Sequence, residues 1–264
     1  MREPQRRVLG VIPARLGSER LPRKPLYPLA GRPLIEWVWR RVRELEALDR
    51  VVVATDSEAV VAACRAMGAE VALTSPDHTS GTERAAEVVA RSDYAGYDIV
   101  VNVQGDEPFI GAEQVEEAAA QVGRFDVGTV ATPVRTLAAW RDPAVVKVVR
   151  AEDGRALYFT RAPVPHVRGR EPTGAELASS DFLRHVGVYA YTPMALARWV
   201  AQPSVALERL ERLEQLRALA AGLTIGVGLV GETEGGVDTP ADARRAEQRL
   251  RALAGSGDST ERVT

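Results

Sequence analysis

The sequence predicts an α/β fold: a mostly parallel sheet covered by helices, with an antiparallel insertion in the second half. Two observations carry this expectation. Short Val/Ile-rich runs alternate with amphipathic stretches through the first half, and each intervening stretch is long enough for a crossover helix. Past the middle, three strand-like runs follow one another with no helical pattern between them. At 264 residues, with 45% hydrophobic and 27% charged side chains, the chain can bury a sizeable core. With no internal repeat and no linker rich enough to divide it, residues 1–254 read as one domain. The insertion falls at about 145–192, and residues 255–264 read as a polar, frayed tail.

Taken in order, strands are expected at Val8 to Ile12, Val51 to Thr55, Glu70 to Thr74, Asp98 to Val103 and Val127 to Val134. Helical patterns lie between them at Pro33 to Glu46, Glu58 to Met67, Thr82 to Arg91 and Ala112 to Val122. The insertion comprises Val145 to Val149, Ala156 to Phe159 and His185 to Tyr189, with Asp153-Gly154 as a hairpin turn signal. His166 to Ser180 reads as a mobile surface loop. Helices at Pro193 to Ala201 and Leu207 to Ala221, a strand at Leu223 to Leu229 and a helix from Pro240 to Leu253 complete the reading.

A formal net charge of −2 provides no electrostatic reason to expect nucleic acid or an anionic membrane as partner. The single cysteine, Cys64, excludes an intrachain disulfide and reads as a buried helical residue. The charged N-terminus and the short apolar run after it fit neither a signal peptide nor a spanning helix, so a cytoplasmic location is expected.

Three segments carry candidate chemistry. The first strand runs into a loop from Pro13 to Leu26 holding Arg15, Arg20, Arg23 and Lys24, at the strand end where ligands bind in open α/β sheets. A solvated basic loop and a triphosphate site both account for it; the P-loop and dinucleotide fingerprints are missing. Asp106 follows a strand end and Gly105, where a carboxylate can hold magnesium against a nucleotide phosphate or merely occupy a turn. Asp238 precedes the last helix, either as a second such carboxylate or as a helix cap.

The order of motifs resembles the 3-deoxy-manno-octulosonate cytidylyltransferase family from about Val8 to Leu250. The resemblance rests on the Pro13 to Pro25 loop, Ala54-Thr-Asp56, His78-Thr-Ser-Gly-Thr-Glu-Arg84, Val103-Gln-Gly-Asp-Glu-Pro108 and Val146-Lys-Val148. It continues through Tyr158-Phe-Thr-Arg161, Arg184-His-Val-Gly-Val-Tyr189, Leu213-Glu-Gln-Leu-Arg217 and Val237-Asp-Thr-Pro240. It implies a three-layer, Rossmann-like nucleotidyltransferase fold and CMP transfer from CTP to an acidic 2-ulosonic sugar, serving lipopolysaccharide biosynthesis. It also implies a Mg2+ cofactor held by Asp106 and Asp238, and a homodimer formed through the insertion. Arg15 and Lys24 are implied as phosphate ligands with catalytic roles. Ser80, Gly81, Arg84 and Gln104 are implied as nucleotide-binding, and Arg161, His185, Tyr189, Glu214 and Gln215 as sugar-binding. Read by themselves, Glu214 and Gln215 belong to a helix studded with Glu and Arg, where surface ion pairing is the ordinary explanation. Two departures stand out: Arg23 occupies a position that is often glycine in the family, and Ser75-Pro76 replaces an Arg of some members. An amino-substituted or sialic acceptor and a non-catalytic nucleotide-binding module remain the alternatives.

Overall fold

A computed structural model describes residues 6–17 and 20–257, with side chains to residue 253. The first half runs β1 (Val8–Pro13), the short hairpin β2 (Pro28–Leu29) and β3 (Arg32–Pro33), α1 (Leu34–Arg43), β4 (Arg50–Thr55), α2 (Glu58–Ala66), β5 (Val71–Leu73), α3 (Gly81–Val89), β6 (Ile99–Asn102), α4 (Ala112–Ala120) and β7 (Val127–Pro133). The second half runs α5 (Leu137–Arg141), β8 (Lys147–Arg150), β9 (Ala156–Thr160), α6 (Gly174–Leu177), β10 (Leu183–Tyr191), α7 (Pro193–Val200), α8 (Ala206–Glu211), α9 (Gln215–Ala220), β11 (Ile225–Leu229) and α10 (Pro240–Gly257).

The sheet order is β11-β7-β10-β6-β1-β4-β5, with β8 and β9 attached to β10. Neighbours β6, β1, β4 and β5 pair in parallel, as do β7 and β11. Strands buried on both faces explain why the apolar runs are continuous: Leu9 and Val11 of β1 pack on one side and Ile12 on the other. The first side holds α3, α7 and α9 through Val88, Trp199 and Leu216; the second holds α1, α2 and α4 through Val38, Val60 and Val115. This is a three-layer α/β/α fold. Cys64 is fully buried in α2, as expected. Among the described residues no helix is long and apolar enough to cross a membrane.

Four expectations need correction. The third strand of the expected insertion is not confined to it: β10 lies antiparallel between β6 and β7 at the heart of the sheet, and only its first residues reach β8. The expected helix from Leu207 to Ala221 is two helices, because Arg212 turns into the left-handed region (φ 51°, ψ 49°). The expected loop at 166–180 contains α6, capped by Thr173 and anchored by buried Leu177 against Val134, Trp140 and Phe182. Helix α10 continues to Gly257, past the start of the expected tail; residues 258–264 lie outside the described residues.

The Asp153-Gly154 signal does mark the β8–β9 turn. Gly154 has φ 91°, and its carbonyl accepts a bond from Val227 of β11 at 2.8 Å, docking the turn onto the sheet edge.

Candidate functional site

Parallel strands deliver their C-terminal ends to one edge, and the basic loop, Asp106 and Asp238 all arrive there. The loop after β6 passes close to the loop after β1: a Cβ on Gly105 would stand 2.5 Å from the Pro13 carbonyl oxygen, so only glycine fits. The segment before α10 closes on the same point, with the Val237 amide donating to the Asp106 carbonyl at 2.8 Å. Helix α10 is capped by Thr239, whose hydroxyl accepts from the Asp242 amide at 3.2 Å, which leaves Asp238 free to face the loop.

Lys24 bridges the two carboxylates. Its Nζ donates to Asp106 Oδ2 and, at 2.8 Å, to Asp238 Oδ1. Burial alone would push the ammonium down, but Asp106 and then Asp238 outweigh it and its pKa is raised. Arg20, not singled out from sequence, adds a 3.0 Å ion pair to Asp238, and Arg15 stands exposed on the same loop. Glu107 completes the acidic group. Burial first, and Asp106 second, push its carboxyl up to about 8 against the opposing charge of Arg184.

Arg23 carries φ 53° and ψ 39° just before Lys24. An L side chain in this left-handed region costs about 1–2 kcal/mol, which accounts for the glycine common at this place in the resembling family. Arg23→Gly is expected to raise stability by about 1 kcal/mol, the relieved strain exceeding the added freedom of the unfolded chain. An upward shift of the urea midpoint at constant slope would register it.

The Ser80-Gly81-Thr82 turn begins α3 beside this edge. A Cβ on Gly81 would lie 3.1 Å from the Pro13 ring and 3.9 Å from the Asn102 amide nitrogen. Arg84 is buried, and its guanidinium is spent on the Thr74 hydroxyl (2.6 Å), the Ser75 carbonyl (3.2 Å) and Asp56 (3.0 Å). In this arrangement it braces the loops after β4 and β5 and does not turn toward Lys24. Gln104 lies along β10, its Cγ 3.6 Å from where a Gly187 Cβ would be.

Between Val186 and Tyr189 the register of β10 shifts against β7, a bulge beside the site. Thr129 holds it: its hydroxyl donates to the Val188 carbonyl at 2.7 Å and so accepts from His185 Nε2 at 2.9 Å. That assigns the Nε2–H tautomer and leaves Nδ1 as an acceptor. Burial lowers the His185 pKa to about 3, so the ring is neutral. His185 packs edge-on against Phe159 (5.1 Å) and beside Tyr189 (5.3 Å), which in turn meets Trp199 at 5.6 Å. Tyr189 is 8% exposed within this aromatic cluster, and burial raises its pKa.

The break between α8 and α9 brings Glu214 and Gln215 inward. Glu214 is no surface ion pair: its carboxylate accepts from Ser80 Oγ at 2.7 Å and Thr82 Oγ1 at 3.0 Å. This joins the residue implied for the sugar to the turn implied for the nucleotide. Gln215 is 5% exposed at the start of α9. Arg161 donates to the carbonyls of Glu211 (2.7 Å), Pro143 (2.8 Å) and Arg212 (3.4 Å), capping α8; an incoming carboxylate must compete with them. Lys147, fully buried, supports the same corner by donating to the carbonyls of Asp142, Val145 and Arg161.

Comparison with known proteins places the chain in a family. A cytidylyltransferase family profile matches residues 9–225. A 3-deoxy-manno-octulosonate cytidylyltransferase from Gemmatimonas aurantiaca is 48% identical over 97% of this chain and 98% of its own length. Another bearing the same name, from Halorhodospira halophila, is 47% identical over 92% of this chain and 96% of its own. A solved CMP:2-keto-3-deoxy-manno-octonic acid synthetase complexed with CTP superposes with TM-score 0.83 at 37% identity, covering 94% of this chain and 99% of that one. A 4-diphosphocytidyl-2C-methyl-D-erythritol synthase from Anaerococcus prevotii shares the fold at 13% identity, with TM-score 0.60. The chain belongs to the 3-deoxy-manno-octulosonate cytidylyltransferase family.

Proposed function

We propose that this enzyme transfers CMP from CTP to the C2 hydroxyl of 3-deoxy-manno-octulosonate, releasing pyrophosphate, with Mg2+ as cofactor. The observation that carries the reading is the junction of Lys24, Asp106 and Asp238, where one cationic atom already sits between two carboxylates from opposite ends of the chain. Two hard carboxylate ligands suit magnesium, which is seldom enclosed by protein alone and takes phosphate and water as its remaining ligands. The ion would neutralise charge on the triphosphate.

The C2 oxygen forms a bond to the α-phosphorus, the bond from that phosphorus to the pyrophosphate oxygen breaks, and the hydroxyl proton is lost to the surroundings. Lys24 and Arg15 provide positive charge for the leaving pyrophosphate. Ser80, Gly81 and Gln104 border the nucleotide; His185, Tyr189, Glu214, Gln215 and Arg161 border the acidic sugar, each through hydrogen-bonding groups suited to hydroxyls and a carboxylate. Holding both substrates in line supplies much of the rate without a covalent enzyme intermediate. A cytoplasmic homodimer joined through the β8–β9 hairpin belongs to the same reading; Leu157 on that hairpin is 51% exposed.

Pyrophosphate release from CTP with magnesium should be observed with 3-deoxy-manno-octulosonate and fall sharply with N-acetylneuraminate, the 8-amino analogue being assayed beside them. Preference for either analogue would reassign the acceptor. Silence with all three, alongside calorimetric CTP binding, would make the protein a nucleotide-binding module.

A further inference from the structure

Arg217 lies on α9 with 6% of its surface exposed, and among the described residues its ion pairs run to Glu83, Glu208 and Glu214 and not to the Asp106–Asp238 pair. Its guanidinium stands 3.2 Å from Glu214, 3.4 Å from Glu208 and 3.6 Å from Glu83, and it donates to the Gln202 carbonyl at 3.3 Å. Three carboxylates therefore gather around one buried cation. Glu214 in turn receives the hydroxyl protons of Ser80 and Thr82, the turn that starts α3.

The groups facing Glu214 come from three elements. Helix α3 and its cap present Ser80, Thr82 and Glu83; β10 presents the neutral phenols Tyr189 and Tyr191; α9 presents Arg217, which Glu208 of α8 also approaches. Among the described residues Arg217 is the cation in this set. Only an ionised carboxylate can accept from both hydroxyls with every lone pair free; once protonated, one oxygen becomes a donor and competes with Ser80 or Thr82.

We infer that Arg217 is a positioning residue: by holding Glu214 ionised against its acidic neighbours, it sets the Ser80–Thr82 turn that borders the nucleotide. The inference rests on the proposed reaction for its link to CTP, but the charge state of Glu214 can be read without turnover. Burial raises the Glu214 pKa, Ser80, Thr82 and Arg217 oppose that, and Glu83 adds to it. Removing the guanidinium therefore extends the acid range in which the turn is unset.

Two measurements test this on the full-length protein. The first is the pH profile of kcat/KM for CTP in the wild type, Arg217→Gln and Arg217→Lys. The second is the 13C carboxyl titration of Glu214, assigned by the signal lost in Glu214→Gln. Arg217→Gln should move both the acid limb and the titration up by about one pH unit, and Arg217→Lys should restore most of the shift. Glu83→Gln, which keeps Arg217, should move the titration down, so the inference stays testable if Arg217→Gln fails to fold. A uniform loss of rate with an unmoved limb and an unmoved titration would overturn it, reducing Arg217 to a packing residue. An inactive wild type would instead refute the proposed reaction, while the carboxyl titration would still decide this inference.

Discussion

Replacing Asp106 by asparagine is expected to lower kcat by about 1,000-fold at saturating magnesium and CTP, the scale seen when one electrostatic contact to a reacting group is removed. The substitution keeps the side-chain shape and the Asp106 carbonyl, which holds Val237, so the closure of the last segment over the loop after β6 survives. It removes one of two anionic oxygens from a junction whose other member, Asp238, is already shared with Lys24 and Arg20. Folding should be little affected. The Asp106 side chain is 26% exposed, and Lys24 keeps its 2.8 Å ion pair with Asp238 when the one with Asp106 is lost. The decisive comparison is pyrophosphate release beside a thermal melt. A variant that melts near the wild type and no longer responds to magnesium places Asp106 at the metal. Wild-type turnover would remove it from that role and leave the triphosphate to the basic loop alone.

What could be read in advance divides along a physical line. The strands β1, β4 and β6 were legible because burial on both faces forces continuous apolar runs, a local property of the chain. The position of β10 was not, since sheet order depends on which edges meet in space, and Leu183–Tyr191 looks the same inside an insertion as between β6 and β7. The break at Arg212 left no glycine to mark it, and the Leu and Glu periodicity runs straight through from α8 to α9. The chemical types at the site were visible: cations after β1, an acid after β6, another before α10. Their convergence was not, because it depends on Gly105 letting two loops approach and on Thr239, rather than Asp238, capping α10. Arg217 read as surface charge for the same reason: the Glu and Arg spacing does not mark which part of the helix turns inward, and in the structure Gln215, Leu216, Arg217 and Ala218 are all buried. Glu107 needed its burial to be known before its raised pKa could be inferred.

Lys24→Met is expected to act with opposite signs on two observables. Turnover should fall about 100- to 1,000-fold, because the ammonium proposed to offset charge on the leaving pyrophosphate is lost. Divalent-cation affinity of the nucleotide-free protein should rise about tenfold. In the wild type the Lys24 ammonium occupies the space between Asp106 and Asp238, and a metal entering there must displace it. With methionine, two carboxylates face each other and a divalent cation relieves their repulsion. The metal-free variant should also lose stability at neutral pH. Lys24 has its pKa raised above the ordinary value of 10.5, so its ion pairs stabilise the wild type fully below that pH and are lost as pH climbs through the folded value. Titration of free Mn2+ by electron paramagnetic resonance, run without nucleotide on both proteins, separates the possibilities. Tighter Mn2+ binding in a variant with poor turnover means that lysine and metal compete for one position and that bound CTP is what draws Lys24 toward phosphate. Unchanged Mn2+ affinity would place the metal elsewhere and leave the lysine bridge as a structural ion pair.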